Sequence, residues 1–303
     1  MSLNTGDIKL DAKPEEAKPE EAKSVKNLVL SGGGTKGYCY FGVYKALTEL
    51  KLLDELENYA GNSIGSAFIL MMALKFSAEE LLCFVDNFDY HNIKDVDMMN
   101  ILTNWGVETG DKLVRFLKAL IKTKLKNPHA TFKDLHEYNP IGCHIIATHV
   151  NTYTTIVYNH INTPDEPLYL AVRKSMGVPL IVKPVKEGQD PNDMDYYVDG
   201  GIRNNFPIDL FPDSTETVGF LLEDCSTKRR KIQHAEDYIM HLLATSLYVI
   251  TAEKIKLYKN TRIIHLVQDV GAFDIGMTKE DRQKLYQYGY DKTIEYFNEG
   301  LKT

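Results

Sequence analysis

Residues 56–76 read LENYAGNSIGSAFILMMALKF. A brief apolar approach meets Gly61, and from about Ser66 to Lys75 the side chains are apolar enough for a buried helix. The same succession stands upstream. Val25, Leu28, Val29 and Leu30 make a short apolar run that ends in SGGGTKG, residues 31–37, after which Phe41, Tyr44, Leu47 and Leu50 recur at helical spacing. Strand, glycine turn and helix, met twice in a row, predict an α/β fold: a mostly parallel central sheet flanked by helices.

The rest of the chain agrees. GCHIIATHVNT (142–152) and TTIVYNH (154–160) read as paired strands rich in β-branched residues, and ETVGFLLED (216–224) and RIIHLVQ (262–268) as short strands at the sheet centre. A long helix is expected near residues 234–257, and a last one after the cap residue Thr278. Residues 77–127 read as helical with polar breaks. Within them Leu113, Phe116, Leu117, Leu120 and Ile121 form one stripe with lysines opposite, a pattern shared by a helix packed on a domain and by one lying on a membrane.

Composition bounds the possibilities. With 44% apolar and 25% charged residues, the 303-residue chain is of ordinary globular make-up, and residues 25–303 are expected to form one principal domain. Residues 1–24 contain DAKPEEAKPEEAK, which buries nothing and whose prolines interrupt helix hydrogen bonding, so a disordered charged tail is expected. A net charge of −7 argues against a nucleic-acid partner, because phosphate binding is driven by lysine and arginine. Neither the apolar core of a secretory signal nor a membrane-spanning run is found, which predicts a cytoplasmic or peripheral membrane protein. Cys39, Cys83, Cys143 and Cys225 are far apart and form no CxxC pair, as in a reducing compartment.

Three short motifs carry chemistry. In SGGGTKG the glycines let backbone amides turn toward an anion at a helix start. Gly32, Gly34 and Gly37 also satisfy GxGxxG, so an oxyanion hole and a dinucleotide loop both fit. GNSIG, residues 61–65, places Ser63 where a strand-to-helix turn lifts a nucleophile above the sheet, with Gly61 and Gly65 leaving room for strained backbone. In YYVDGGIRNNFP, residues 196–207, Asp199 ends an apolar run, and Gly200 and Gly201 are expected to adopt conformations closed to other residues.

A glycine-rich loop with a basic residue, then GxSxG, then DGG resembles the patatin-like phospholipase family. TFKDL (131–135), IATHVNT (146–152), AVRKSMGVPLIVKPV (171–185) and RNNFP (203–207) extend the likeness from about Val25 to at least Pro207. The resemblance implies a patatin-like serine hydrolase fold and a Ser63–Asp199 dyad. It implies an oxyanion hole from Gly32, Gly33 and Gly34, with Gly37 permitting the turn into the helix and Lys36, Gly61, Gly65, Gly200 and Gly201 as support. No metal or cofactor is implied. Lys36 stands where the family commonly has arginine, retaining charge without the planar fork, and Asn62 replaces the commoner threonine. The implied substrate is a phospholipid or other lipid ester, with peripheral membrane contact and no protein partner indicated. Arg173 and Ser175 are expected to buttress the sheet end that carries Asp199, and PLIVKP, residues 179–184, to line the acyl path or form a rigid edge.

A carboxylate near its ordinary pKa of about 3.9 is a weak base toward a serine hydroxyl, so contact geometry and the oxyanion hole are expected to carry much of the catalysis. Other readings stay open. His234, His241 or His265 would serve a histidine triad, although none has supporting local sequence. Asp190, Asp193, Asp195 and Asp199 make an acidic run without the spacing of a calcium loop. A nucleotide-dependent oxidoreductase needs an acid ending a second strand, with Asp54 and Glu55 nearest in spacing. An acyltransferase uses the same serine chemistry, and a membrane- or partner-binding module uses the same scaffold.

Overall fold

Asn27–Leu30 (β1) alternates about the sheet plane: Leu28 and Leu30 face one side, while Val29 faces the other. The structure, a computed structural model, describes residues 24–87, 95, 103, 105–224, 232, 235–270 and 277–299. The tail expected over residues 1–24 lies outside them but for Ser24, as do Cys225 and His234.

After β1 come α1 (Tyr38–Glu49), β2 (Asn58–Asn62), α2 (Ile64–Ala73) and α3 (Ala78–Asn87). Then follow β3 (Gly106–Glu108), α4 (Asp111–Leu125), α5 (Phe132–Tyr138), β4 (Gly142–His149) and β5 (Thr154–Tyr158). The chain continues through α6 (Leu168–Ser175), β6 (Leu180–Val182), β7 (Val185–Glu187), β8 (Asp195–Asp199) and α7 (Gly201–Asn204). It closes with β9 (Thr217–Asp224), α8 (Ala235–Ile255), β10 (Arg262–Gln268) and α9 (Lys279–Glu299). The main sheet runs β10-β9-β1-β2-β4-β8-β7, with β5 also on β4. Its first five strands are parallel, and β5, β8 and β7 extend it by antiparallel pairing. The fold is therefore α/β with a largely parallel central sheet between helices.

One face carries the larger core, where α1, α2 and α9 cover Leu28, Leu30, Phe220 and Leu222. On the other face Phe206, Ile208 and Phe211 pack on Val29, Ala60 and Leu221. Complete burial of a side chain such as Phe220 is worth about 2–3 kcal/mol. Along α8, by contrast, Tyr238, Leu242, Tyr248 and Val249 stand exposed.

One expectation needs correction. Residues 77–127 are not helical throughout, because Gly106–Glu108 is a strand that pairs in parallel with β6. A Cβ at Gly106 would stand 2.2 Å from the Lys183 amide nitrogen, so the approach depends on a partner some 75 residues away that local periodicity does not register.

Candidate active site

Ser63 and Asp199 meet because of how β4 is shared. β5 occupies one edge of β4 from Ile145 to His149, and β2 and β8 divide the opposite edge. β2 ends with Asn62 opposite Ile146, and β8, running the other way, ends with Asp199 opposite Ala147. The two strand ends therefore abut on successive rungs.

Ser63 holds φ 51° and ψ −125°, the angles of the first central residue of a type II′ turn, which glycine ordinarily occupies. Gly61 and Gly65 make this sharp turn sterically feasible. A Cβ at Gly61 would lie 2.6 Å from the Gly65 carbonyl oxygen, and one at Gly65 would lie 2.5 Å from that of Leu30. The Ser63 amide donates to Ser175 Oγ at 2.9 Å, and its carbonyl accepts from Ser66 Oγ at 2.6 Å.

Asp199 is buried. Its Oδ1 accepts from the Gly201 amide at 2.7 Å and from Asn62 Nδ2 at 3.2 Å, and the carboxylate also interacts with the Ser63 hydroxyl. Desolvation outweighs these bonds and pushes its pKa from the ordinary 3.8 up to about 6. A carboxylate so placed is better matched to accept a proton from a serine hydroxyl than one of ordinary pKa. The main chain is held too: the Asp199 amide donates to the Gly177 carbonyl at 2.9 Å, and Thr148 Oγ1 donates to the Asp199 carbonyl at 3.0 Å.

Gly200 does not take the special conformation expected of it; its φ of −63° and ψ of −21° are right-handed, and Gly201 starts α7. Space is the reason for glycine here, since a Cβ at Gly200 would stand 2.5 Å from Asn62 Oδ1 and 2.6 Å from the Ile146 carbonyl oxygen.

The glycine loop is narrower in capacity than the motif suggests. The Gly32 amide already donates to the Asn205 carbonyl at 3.0 Å, whereas those of Gly33 and Gly34 have no partner among the described residues. Gly34 has φ 59°, the loop continues as a 3-10 turn over Gly34–Gly37, and α1 follows. A Cβ at Gly37 would meet Ile64 Cγ1 at 2.4 Å, so the loop sits directly against the serine turn. Lys36 is buried with its ammonium paired to Asp224 at the end of β9, a point-charge contact that needs no planar fork.

Two residues that the motifs do not mark as site residues bind these parts together. Asn205 accepts from Asn62 Nδ2 at 3.1 Å and donates to the Gly32 carbonyl at 3.3 Å, linking Asn62, and through it Asp199, to the glycine loop. Asn62 thereby bridges Asp199 and Asn205 through one amide. Ser175 supports the serine turn and Asn62, whereas the expectation placed it under the strand end that carries Asp199. Arg173 does not serve the same end of the sheet: its Nη2 donates to the carbonyls of Thr109 and Lys183, joining the start of α4 to β6.

Next to Ser63 opens an apolar pocket lined by Phe41, Phe68, Met71, Leu113, Phe116 and Ile181, among others. The amphipathic helix α4 therefore turns its apolar stripe inward, and the PLIVKP segment lines the pocket through Ile181 and Val182.

No histidine hydrogen-bonds Ser63 or Asp199 among the described residues. His265 pairs instead with Glu223 at 2.7 Å, and His241 lies on α8. Asp195 pairs with His149 at the opposite end of β8 from Asp199. For a dinucleotide site, β2 offers Asn62 and Ser63 where an acid is required, and Asp54 and Glu55 are exposed before that strand.

Comparison with known proteins agrees with this fold. The family model described as patatin-like phospholipase matches residues 28–212. An uncharacterized protein, R571, of Acanthamoeba polyphaga mimivirus is 28% identical over 281 residues, covering 88% of this chain and 91% of the relative. The probable lipid hydrolase 463L of Invertebrate iridescent virus 6 is 25% identical, covering 62% of this chain and 63% of the relative. The crystal structure of VipD from Legionella pneumophila shares the fold, with TM-score 0.57 and 17% identity over 91% of this chain and 67% of that one.

Proposed function

The chain belongs to the patatin-like phospholipase family, and from this premise we propose that it hydrolyses carboxylic esters of lipids through Ser63 and Asp199. The observation that carries the proposal is the buried Asp199 carboxylate against the Ser63 hydroxyl, beside an apolar pocket and two amides, of Gly33 and Gly34, that have no partner among the described residues.

In this reading Ser63 Oγ attacks the ester carbonyl while Asp199 takes its proton. The oxyanion forms near the Gly33 and Gly34 amides, and the positive end of the following helix favours the same charge. Collapse breaks the ester C–O bond, and the proton on Asp199 passes to the departing alcohol. Water then attacks the acyl-enzyme with Asp199 again as base, releasing the fatty acid and restoring Ser63. The pocket's apolar walls suit an acyl chain, and the name of the iridescent-virus relative is in keeping with a lipid substrate.

Labelling by a fluorophosphonate, with the adduct mapped by mass spectrometry, tests the reading. Attachment at Ser63 is expected, together with turnover of phospholipid or related esters. A folded chain that takes no label, with or without vesicles, returns the scaffold to the binding-module reading; acyl transfer to an added alcohol in place of water identifies an acyltransferase.

The pH dependence is a further expected outcome. Asp199 acts only when ionised, so kcat/KM is expected to fall on the acid side with an apparent pKa of about 6. Asn62→Ala removes a hydrogen bond to the ionised form and is expected to move that limb up by about half to one pH unit. A limb that stays in place would show that the Asn62 amide does not govern the base.

A further inference from the structure

Two large apolar side chains are held out to solvent on backbone that resists them. Trp105 is 50% exposed and Leu180 41% exposed, and both have left-handed angles, φ 61° and φ 67°. Elsewhere Lys51, Lys75 and Lys126 take positive φ at helix ends, where it is an ordinary terminator, and Tyr153 takes it in the β4–β5 turn. Trp105 stands two residues after the helical Thr103 and leads into β3, and Leu180, at the start of β6, is the second central residue of a turn in which the Ile181 amide donates to the Val178 carbonyl at 3.2 Å. A tryptophan and a leucine are uncommon occupants of these angles, since a β-carbon crowds the left-handed region.

The two are neighbours. Gly106 pairs with Leu180, which places Trp105 and Leu180 at one end of the two-stranded sheet. Tyr196 packs on Trp105 with ring centroids 5.1 Å apart, and the Lys186 ammonium lies 4.8 Å from the centre of the indole and 5.4 Å from that of the phenol. The next residues along β6, Ile181 and Val182, line the pocket beside Ser63. The exposed group therefore borders the wall of the proposed acyl site.

Its composition says what it fits. Indole and phenol rings settle at the headgroup level of a bilayer, with a leucine beside them to enter the acyl boundary. Charge is nearly balanced: Lys183 lies 3.8 Å from Asp111, and Asp190, Asp193 and Asp195 lie in or beside the turn that follows Lys186. Among the described residues this surface has no basic excess with which to select anionic lipid.

We propose that Trp105, Leu180 and Tyr196 form the surface by which this protein seats on a zwitterionic phospholipid interface, bringing the pocket wall to the lipid. The proposal rests on the ester-hydrolase reading for its purpose, but binding is measurable independently of turnover.

Trp105 is the only tryptophan in the sequence, so its emission reports this surface alone. On titration with phosphatidylcholine vesicles the emission is expected to shift to the blue, with little change on adding salt. Leu180→Gly relieves the backbone and is expected to raise the melting temperature, yet to weaken vesicle binding by roughly five- to tenfold, the partition lost with one leucine side chain. Trp105→Ser, followed by co-sedimentation, is expected to weaken binding likewise. Both variants should turn over a soluble short-chain ester at the parent rate while losing turnover of vesicle phospholipid. Unmoved emission, binding confined to vesicles containing anionic lipid, or variants that bind like the parent would overturn the proposal. Failure of the parent on the soluble ester would sink the hydrolase reading instead, leaving the vesicle titration to decide the surface.

Discussion

Asp199→Asn is expected to yield a protein that is more stable at neutral pH and nearly inactive. Folding raises the pKa of this carboxyl from 3.8 to about 6, so the folded state favours the protonated form. Its contribution to stability is then full below about pH 4 and is lost as pH rises through 6. At pH 7–8 the native state carries a buried, ionised carboxylate at a cost on the order of 3 kcal/mol. Asparagine is neutral and of the same shape, and its Oδ1 accepts from the Gly201 amide and Asn62 as the carboxylate does. Relief of about 1–3 kcal/mol is expected in denaturant unfolding at pH 7.5, shrinking toward zero near pH 4. Activity is expected to fall about 10³- to 10⁴-fold, since the amide cannot take the serine proton. Equal stabilities for parent and variant at pH 7.5 would mean that Asp199 is not strained by burial. A variant retaining most of its activity would remove it from the dyad.

Ser63 lends itself to a comparable test with two substitutions. Ser63→Ala removes the proposed nucleophile and keeps the strained backbone, so ester turnover is expected to drop by about 10³-fold or more, with no fluorophosphonate adduct. Ser63→Gly removes the same hydroxyl and also the cost of φ 51°, and is expected to be about 1 kcal/mol more stable than the alanine variant. Thermal unfolding of the pair reads the strain directly. If the glycine variant proves no more stable, the turn is not held against its own preference. If the alanine variant still takes label, the nucleophile lies elsewhere.

Both expectations concern residues that the amino-acid order marks out, but the energies behind them are not written there. GNSIG and DGG mark a serine turn and a carboxylate as local events, because glycine spacing and the apolar runs around it are local causes. That Asp199 titrates near 6 depends on what surrounds it, and no run of five residues records burial. The same limit explains Gly32, whose amide is taken by a carbonyl 173 residues along the chain, and Arg173, whose partners lie across the pocket wall. Asn205 carries no local signal, because an asparagine after DGG has no periodicity to betray it; its role exists only once Asn62 and Gly32 are beside it.

By itself the amino-acid order determined the alternation of strands and helices, the sheet at their centre, and the three glycine-bearing turns that meet at the candidate site. These follow from side-chain period and glycine position, which each segment carries within itself. Only the tertiary structure decided that β2 and β8 end head to head along one edge of β4, which brings Ser63 to Asp199. It alone also decided that α4 turns its apolar stripe into a pocket, while Trp105 and Leu180 are turned out of the pocket wall. An apolar stripe states that a face must be covered, and what covers it depends on packing among segments far apart in the chain.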